Sequence, residues 1–267
     1  MKHLTRFTTI IALGLVVAVS ACKKSDSAAN KPADKTDYQA LSKHIATSFA
    51  RSMNVGSTGF KASGGVGGQR ALSTGPQCGD VVYTPYNETV TSGDTTRIYT
   101  GNSVFTYICN GGVLNEYSLV DTATSRELRT GYASTYRVIQ KYNARAIDAN
   151  YTQTASNGTI GVAFAQRLFN NSGATTDSLS YATQYQLNNV KVTRGSNGGA
   201  AITGGEATFA SSVYHKDKVV DIDGYSDDHT GYIYFDGNDI IFVTFYQADY
   251  QSTYQVNIKT GAVQKVK

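Results

Sequence analysis

The sequence contains no tryptophan, and only three prolines, three cysteines and four histidines occur among its 267 residues. The missing tryptophan weakens the case for a glycan-stacking surface, because tryptophan is the best aromatic platform. Few histidines leave few candidates for acid–base chemistry or metal ligation. Charged residues make up 16% of the chain and form no basic run, which argues against a nucleic-acid partner. The longest apolar run is the ten residues 10–19, and a membrane-spanning helix needs about 20.

Tyrosine and small polar residues are abundant instead. The chain contains 19 tyrosines and 26 glycines, and its mean hydropathy is −0.28. Aromatic and β-branched residues favour strands, and from residue 80 onward clusters of Gly, Asn, Ser or Asp recur at roughly the spacing of successive short strands. The sequence therefore predicts a mainly β fold, an antiparallel meander that forms a sandwich, a barrel or a curved open sheet, with one N-terminal amphipathic helix.

Turn residues divide the predicted sheet into short strands. These are residues 96–100, 103–109, 113–120, 135–142, 144–154, 159–168, 181–193, 207–214, 231–235, 240–246, 253–259 and 262–266. A two-residue turn is expected at Gly101-Asn102, since both residue types accept positive φ, and a hairpin turn at 236–239. Residues 135–147 also fit a helical period, but their β-branched and aromatic residues favour strands, with Asn143 as a break.

The helix is predicted over residues 38–53. Its apolar residues recur at helical spacing: Tyr38, Leu41, Ile45, Phe49 and Met53. Thr36 followed by Gln39 three residues later fits a capping box. We expect the narrow apolar stripe to pack on the domain rather than lie on a membrane. Residues 54–79, rich in glycine, are expected to form a loop or linker, and residues 80–267 the antiparallel β domain.

The first 22 residues have the three regions of a secretory signal. Lys2 and Arg6 give a basic start, residues 10–19 an apolar core, and Ser20 and Ala21 small residues before a cleavage site. The ending Val19-Ser20-Ala21-Cys22 resembles the lipobox of bacterial lipoproteins. Residues 1–21 are therefore predicted to be a signal peptide.

The lipobox resemblance implies a lipid anchor at Cys22. In that family the cysteine becomes the new N-terminus and carries a diacylglyceryl group, and often an amide-linked acyl chain such as palmitate. Residues 22–37 offer no large apolar side chain and are expected to form a flexible tether. The charged start of this tether is similar to that of lipoproteins from the Bacteroidota. The resemblance implies the outer membrane as location, facing the periplasm or the cell surface, and the lipid bilayer as partner.

The other two cysteines, Cys78 and Cys109, are expected to form a disulfide, because an even pair in an oxidising compartment favours one. A candidate Ca²⁺ set consists of four acidic residues: Asp221, Asp223, Asp227 and Asp228. Carboxylate oxygens suit this hard cation. The spacing fits an EF-hand loop poorly, and the alternative is an acidic turn between strands.

No catalytic motif is found around the histidines that would remain after cleavage: His44, His215 and His229. Ser226, Asp227, Asp228 and His229 have the residue types of a hydrolase triad. Triad members converge from separate elements, however, so neighbours in sequence indicate a polar loop. We therefore expect no enzyme activity and no cofactor.

The expected function is that of a membrane-anchored binding or structural module with an unassigned ligand. Tyr232 and Tyr234 alternate with Ile233 and Phe235, so one side of this strand could present an aromatic face to a protein, a glycan or an apolar ligand. The alternatives are an exported hydrolase without a local motif and a carrier of an apolar ligand in a concave sheet. Four segments resemble the O-glycosylation motif of Bacteroidota: Asp26-Ser27-Ala28, Asp94-Thr95-Thr96, Asp121-Thr122-Ala123 and Asp177-Ser178-Leu179.

Overall fold

The computed structural model describes residues 37–53, 77–148, 152–194, 200–217, 225–237, 239–246 and 251–266. Asp37–Lys267 forms one compact unit. The described residues contain one helix, α1 (Tyr38–Ser52), and eleven strands: β1 (Val81–Ser92), β2 (Thr95–Asn110), β3 (Val113–Arg129), β4 (Tyr132–Ala146), β5 (Gln153–Phe169), β6 (Thr175–Arg194), β7 (Ala200–Asp217), β8 (Tyr225–Gly237), β9 (Ile240–Tyr246), β10 (Gln251–Asn257) and β11 (Val263–Lys265).

The strands form a single antiparallel sheet in which each strand pairs with its neighbours in sequence. The sheet order runs from β1 to β11 without a crossover, and the sheet does not close. The prediction of a mainly β antiparallel meander is confirmed. Of the three forms considered, the structure has the open sheet rather than the sandwich or the barrel.

Asp37 caps the N-terminus of α1, and its side chain accepts hydrogen bonds from the backbone N–H groups of Gln39 and Ala40, 3.0 Å each. The predicted capping box is wrong. The side chain of Gln39 donates to the backbone oxygen of Val263, 3.3 Å away on β11, and Thr36 lies outside the described residues. Asp37 satisfies two of the N–H groups that every helix leaves without an intrahelical partner.

The sheet curves around the helix. The 15-residue helix α1 is about 22 Å long. The seven strand spacings from β4 to β11 would span about 34 Å in a flat sheet, which is longer than the helix. Side chains from both of these strands, and from those between them, nevertheless join α1 in one core. We call the side of the sheet that faces α1 the inner face and the opposite side the outer face.

Curvature buries more of α1 than the predicted apolar stripe. Leu41, Ile45 and Phe49 are buried as expected, but so are Ser42 and Ser48. The buried hydroxyls donate to backbone oxygens three residues earlier, Ser42 to Gln39 at 2.9 Å and Ser48 to Ile45 at 3.1 Å. These bonds within the helix allow serine to be buried against a sheet.

The predicted turn at Gly101-Asn102 is wrong. Both residues lie in the middle of β2, opposite Tyr86 and Pro85 on β1. A Cβ on Gly101 would lie 2.4 Å from the hydroxyl oxygen of Tyr86 and 2.2 Å from the backbone oxygen of Thr122. The glycine therefore permits close approach of a tyrosine and a neighbouring strand, rather than a turn.

Residues 135–146 are strand, as predicted, but Asn143 does not break it. Strand β4 continues through Asn143 to Ala146, so the separate strand predicted at 144–154 is wrong. The chain turns after residue 147, where Asp148 accepts hydrogen bonds from Thr152 and Gln153. The predicted hairpin between β8 and β9 is confirmed; Gly237 and Asp239 there have φ of 72° and 62°.

The disulfide between Cys78 and Cys109 is present, with Cα atoms 5.4 Å apart. It joins the residues before β1 to the end of β2. Residues 54–76, most of the predicted glycine-rich loop, lie outside the described residues. Within the described part of the chain, no helix combines the length and apolar character needed to cross a membrane.

Candidate functional site

The inner face changes from polar to apolar along one row of cross-strand partners. Ser103, Asp121 and Gln140 lie side by side on β2, β3 and β4. The same row continues with Ile160 on β5 and Tyr185 on β6. The apolar half packs against α1, and the polar half includes a buried carboxylate.

Asp121 has no exposed surface, and neither of its carboxylate oxygens has a hydrogen-bond partner among the described residues. Burial raises the pKa of this carboxyl to about 7, because the charged form loses its hydration. The nearby Tyr86 hydroxyl likewise has no hydrogen-bond partner in the described part of the chain, and burial together with the Asp121 charge raises its pKa. An unpartnered buried carboxylate is costly unless it is protonated.

Three side chains of the sheet bind backbone oxygens of α1. The Tyr185 hydroxyl donates to Ile45 at 3.0 Å and lies 2.7 Å from Ser48 Oγ. The Tyr136 hydroxyl donates to the backbone oxygen of Ser48 at 3.2 Å. Gln140 Nε2 donates to the backbone oxygen of Ser52, one of the final carbonyls that lack an intrahelical partner. The sheet thereby fixes the C-terminal half of the helix.

A pocket of about 390 Å³ opens where the end of α1 meets β2 to β5. Its lining combines arginine, aromatic and hydroxyl side chains: Arg51, Arg97, Tyr99, Ser125, Arg126, Glu127, Tyr132, Ser134, Tyr136 and Phe164. We call it the arginine–tyrosine pocket. Its volume lies within the range of small-molecule sites in proteins.

Two adjacent inner-face rows form the wall of the pocket. Arg97 on β2 lies opposite Glu127 on β3, and the next row begins with Tyr99 opposite Ser125. Because alternate residues of a strand share a face, Arg97 and Tyr99 both point inward. Phe164 continues the second row on β5, one strand beyond Tyr136.

The pocket has an excess of positive charge. Among the described lining residues, Glu127 is the one acidic side chain, and it is paired with Arg97 at 2.9 Å and with Arg129 at 3.9 Å. The hydrogen bond that Arg97 donates to Glu127, together with the Glu127 charge, raises the pKa of Arg97. Arg51 lies over the ring of Tyr136, 5.4 Å from its centroid, and forms no ion pair with a described residue. The arrangement therefore favours an anionic ligand.

Among the described residues, the sequence neighbours Ser226 and His229 do not form a hydrolase triad. His229 lies on the inner face between Tyr38 and Phe245, with ring centroids 5.2 Å and 6.2 Å away. Ser226 lies three residues before it on β8, and so on the opposite face. His44 stacks on Tyr181 at 3.9 Å, and burial, followed by the Arg51 charge, lowers its pKa to about 3.

His215 pairs with Asp177, which the sequence analysis named only as part of a segment that resembles an O-glycosylation motif. Its Nε2 lies 3.1 Å from Asp177 Oδ1, and about a third of each side chain is exposed. His215 belongs to the same row as Ser134, through Gln166 and Leu179. This pair alone lacks the nucleophile that a hydrolase needs.

The predicted calcium set is only half described. Asp227 and Asp228 are successive residues of β8 and point to opposite faces, and Asp228 accepts a hydrogen bond from Ser212 at 2.6 Å. Asp221 and Asp223 lie outside the described residues. Among the described residues, no group of three or more His, Cys, Asp or Glu side chains could hold a metal ion.

Tyrosines also line the outer face of β8. Ile233 and Phe235 are buried inward, while Tyr234 is 50% exposed on the other side. The outer face of β4 to β7 carries a shallow groove of mainly small residues, among them Gly161, Ala163, Ala182 and Ala210. Cys22, the proposed lipidation site, lies outside the described residues.

The pocket residues were missed by sequence reasoning because they come from four strands and the helix. The available signal was alternation: Arg97 and Tyr99, like Tyr132, Ser134 and Tyr136, are spaced to share one face of a strand. No protein-family model, curated protein or solved structure matches the chain.

Proposed function

We propose that the chain is an exported, lipid-anchored protein that binds a small polar ligand in the arginine–tyrosine pocket without converting it. The observation that carries the proposal is the pocket of about 390 Å³, which combines cationic, aromatic and hydroxyl groups. Most ligand sites are concave and place a few polar groups among aromatic ones. The arginines make this lining too polar for a carrier of purely apolar ligands.

The pocket is built on rigid elements, which supports a binding role. Its walls are sheet strands, and its helical side ends at Arg51, where Tyr136 and Gln140 bind nearby backbone oxygens of α1. A site held in this way is already organised before its ligand arrives, which lowers the entropic cost of binding. The His215–Asp177 pair is separate from the pocket lining.

The lipid anchor is supported by the sequence Val19-Ser20-Ala21-Cys22 and by the polar residues that follow it. Fractionation of cells expressing the full chain and a Cys22→Ser variant tests this part. We expect the native chain in the membrane fraction, labelled by an alkyne analogue of palmitate, and the variant unlabelled and released. Equal labelling of both chains would overturn the anchor.

Saturation-transfer NMR on the mature chain carrying Cys22→Ser tests the binding site. Neutral sugars, sugar acids, amino acids and phosphates are offered one class at a time. We expect at least one class to bind, and a Tyr99→Ala/Tyr132→Ala variant to lose the signal. The matched control, Tyr83→Ala/Tyr234→Ala, removes two tyrosines that are 61% and 50% exposed outside the pocket. Failure of every class to bind, or binding that survives the pocket variant, would overturn the proposal.

A further inference from the structure

We infer that the ligand of the arginine–tyrosine pocket is a small hydroxylated carboxylic acid of the uronic acid type, and that Arg51 binds its carboxylate. This inference rests on the proposed function and names its ligand class. It follows from how three charged side chains of the pocket, Arg51, Arg97 and Glu127, are placed and engaged. The fourth, Arg126, has its side chain on the outer face, because alternate residues of β3 face opposite sides.

Arg51 is the cation best placed to receive an anion. It is exposed, lies in the last turn of α1 and stacks over the Tyr136 ring with 5.4 Å to the centroid. Stacking engages the face of a guanidinium and leaves its N–H edges available. None of the carboxylates in the described residues pairs with it. Two parallel N–H donors fit the two oxygens of a ligand carboxylate.

The hydrogen-bonding groups on the opposite wall favour ligand hydroxyl groups over a second anionic group. Glu127 accepts a hydrogen bond from Arg97 at 2.9 Å and lies 3.9 Å from Arg129. A carboxylate has about four acceptor positions, so ligand hydroxyls can donate to those that remain. Ser125 and Ser134 add two hydroxyls to the lining. A ligand with only phosphate or sulfate oxygens would leave Glu127 opposed to negative charge.

The aromatic lining indicates a ring. Tyr99, Tyr132, Tyr136 and Phe164 contribute apolar surface to the pocket, and Arg129 lies 4.5 Å from the centroid of the Tyr132 ring. A compact ring with apolar C–H faces and a polar rim fits such a lining better than an extended chain of the same size. A sugar ring with one carboxylate has all three properties.

Galacturonate and galactose are a matched pair of probes, since they differ only in whether carbon 6 is a carboxylate. Isothermal titration of the mature Cys22→Ser chain measures both, with inorganic phosphate as a third probe. We expect galacturonate to bind, galactose to bind at least about tenfold more weakly, and phosphate not to compete with galacturonate.

Two substitutions locate the carboxylate. Arg51→Gln is expected to weaken galacturonate binding at least about tenfold, with Arg51→Lys intermediate, because lysine keeps the charge but loses the planar fork. Arg137→Gln is the matched control, since Arg137 lines the groove on the outer face. Unfolding curves of each variant verify that the fold is kept.

The outcomes separate this inference from the proposed function. Equal affinity for galacturonate and galactose in the pocket would contradict the inference that the ligand is an acid. It would leave the proposed binding function standing. If phosphate bound instead of galacturonate, and this binding were lost in Arg51→Gln, the ligand class would not be a hydroxylated acid. Absence of galacturonate binding, or its survival in Arg51→Gln, would overturn the inference. The proposed function falls if every ligand class fails in the NMR test, or if binding survives in the Tyr99→Ala/Tyr132→Ala variant.

Discussion

Asp121 lies directly opposite Gln140 across β3 and β4, and the carboxylate of the first and Oε1 of the second are buried without hydrogen-bond partners among the described residues. Both groups are acceptors while Asp121 is ionised. Protonation converts the carboxyl into a donor, and side chains at directly opposed positions lie close enough to interact. Since Gln140 Nε2 donates to the backbone oxygen of Ser52, the charge of Asp121 lies next to the contact that holds the end of α1.

Asp121→Asn is expected to stabilise the fold above neutral pH. Burial raises the pKa of Asp121 from 3.8 to about 7, so between these values the unfolded chain loses a proton that the folded chain keeps. Relative to the variant, the native chain therefore loses stability as pH rises through this range, by about 1.4 kcal/mol for each pH unit at most. Urea unfolding followed by circular dichroism from pH 4 to 8 measures this difference. Asp236→Asn, at an exposed position, is the control, and a pH-independent difference for Asp121→Asn would contradict the prediction.

His44→Phe is expected to protect the fold against acid. Burial lowers the pKa of His44 from 6.5 to about 3, so below pH 6.5 the unfolded chain takes up a proton that the folded chain does not. The native chain loses stability relative to the variant as pH falls, by at most about 1.4 kcal/mol per unit. Phenylalanine keeps the stack on Tyr181. The same unfolding series measures the effect, and a difference that is constant from pH 7 to 4 would refute it.

The effects of Asp121 and His44 oppose each other between about pH 4 and 6.5, so the native chain is expected to show a shallow pH dependence there. Each single variant removes one of the two effects. The slopes of the two variants should therefore have opposite signs, which a general acid denaturation would not produce.

Gly101→Ala is expected to lower the free energy of unfolding by about 1–3 kcal/mol, because the new Cβ would collide with the Tyr86 hydroxyl and the Thr122 backbone oxygen. Gly161→Ala is the control: its Cβ would meet only the end of the Gln184 side chain at 3.0 Å and a backbone oxygen at 3.9 Å. Denaturant midpoints compare the two. Equal effects would show that loss of glycine in a strand, rather than the collision, decides the result.

Tyr185→Phe is expected to destabilise the fold by about 1–3 kcal/mol, because it removes the hydroxyl that bonds to the Ile45 backbone oxygen and to Ser48 Oγ in the core. A double-mutant cycle with Ser48→Ala should show that the two losses are less than additive. Tyr234→Phe, at a tyrosine that is 50% exposed, should change stability by less than about 0.5 kcal/mol. Strict additivity of Tyr185→Phe and Ser48→Ala would contradict a direct bond.

The elements that were predicted correctly from the sequence are those with a clear helical spacing of apolar residues or a clear turn signal. Leu41, Ile45 and Phe49 marked α1, and the glycine at position 237 helped to mark the last hairpin. The buried serines of α1 could not be predicted, because their burial depends on curvature of the sheet. Gly101 was misread for a related reason: a glycine that makes room for Tyr86 has the same sequence signature as a glycine that turns the chain.

The site was beyond sequence reasoning for a different physical reason. Arg51, Arg97 and Glu127 are brought together by strand register and by the position of the helix, and neither follows from local preference. The available signal was the two-residue spacing that places Arg97 with Tyr99, and Tyr132 with Ser134 and Tyr136, on one face of a strand. By contrast, the disulfide partners were predictable, because only two cysteines remain beyond Cys22.

The bond between Gln39 and Val263 joins residues 224 positions apart, although every strand pairs only with its neighbours in sequence. Hairpins can therefore form one after another. The helix precedes all the strands in the sequence, but it reaches its full set of contacts only when the final strand has formed. Long-range closure of this kind is slow. In the lipid-anchored chain that we propose, residues 22–37 would lead from the membrane to α1, so tension on them would act on these late contacts.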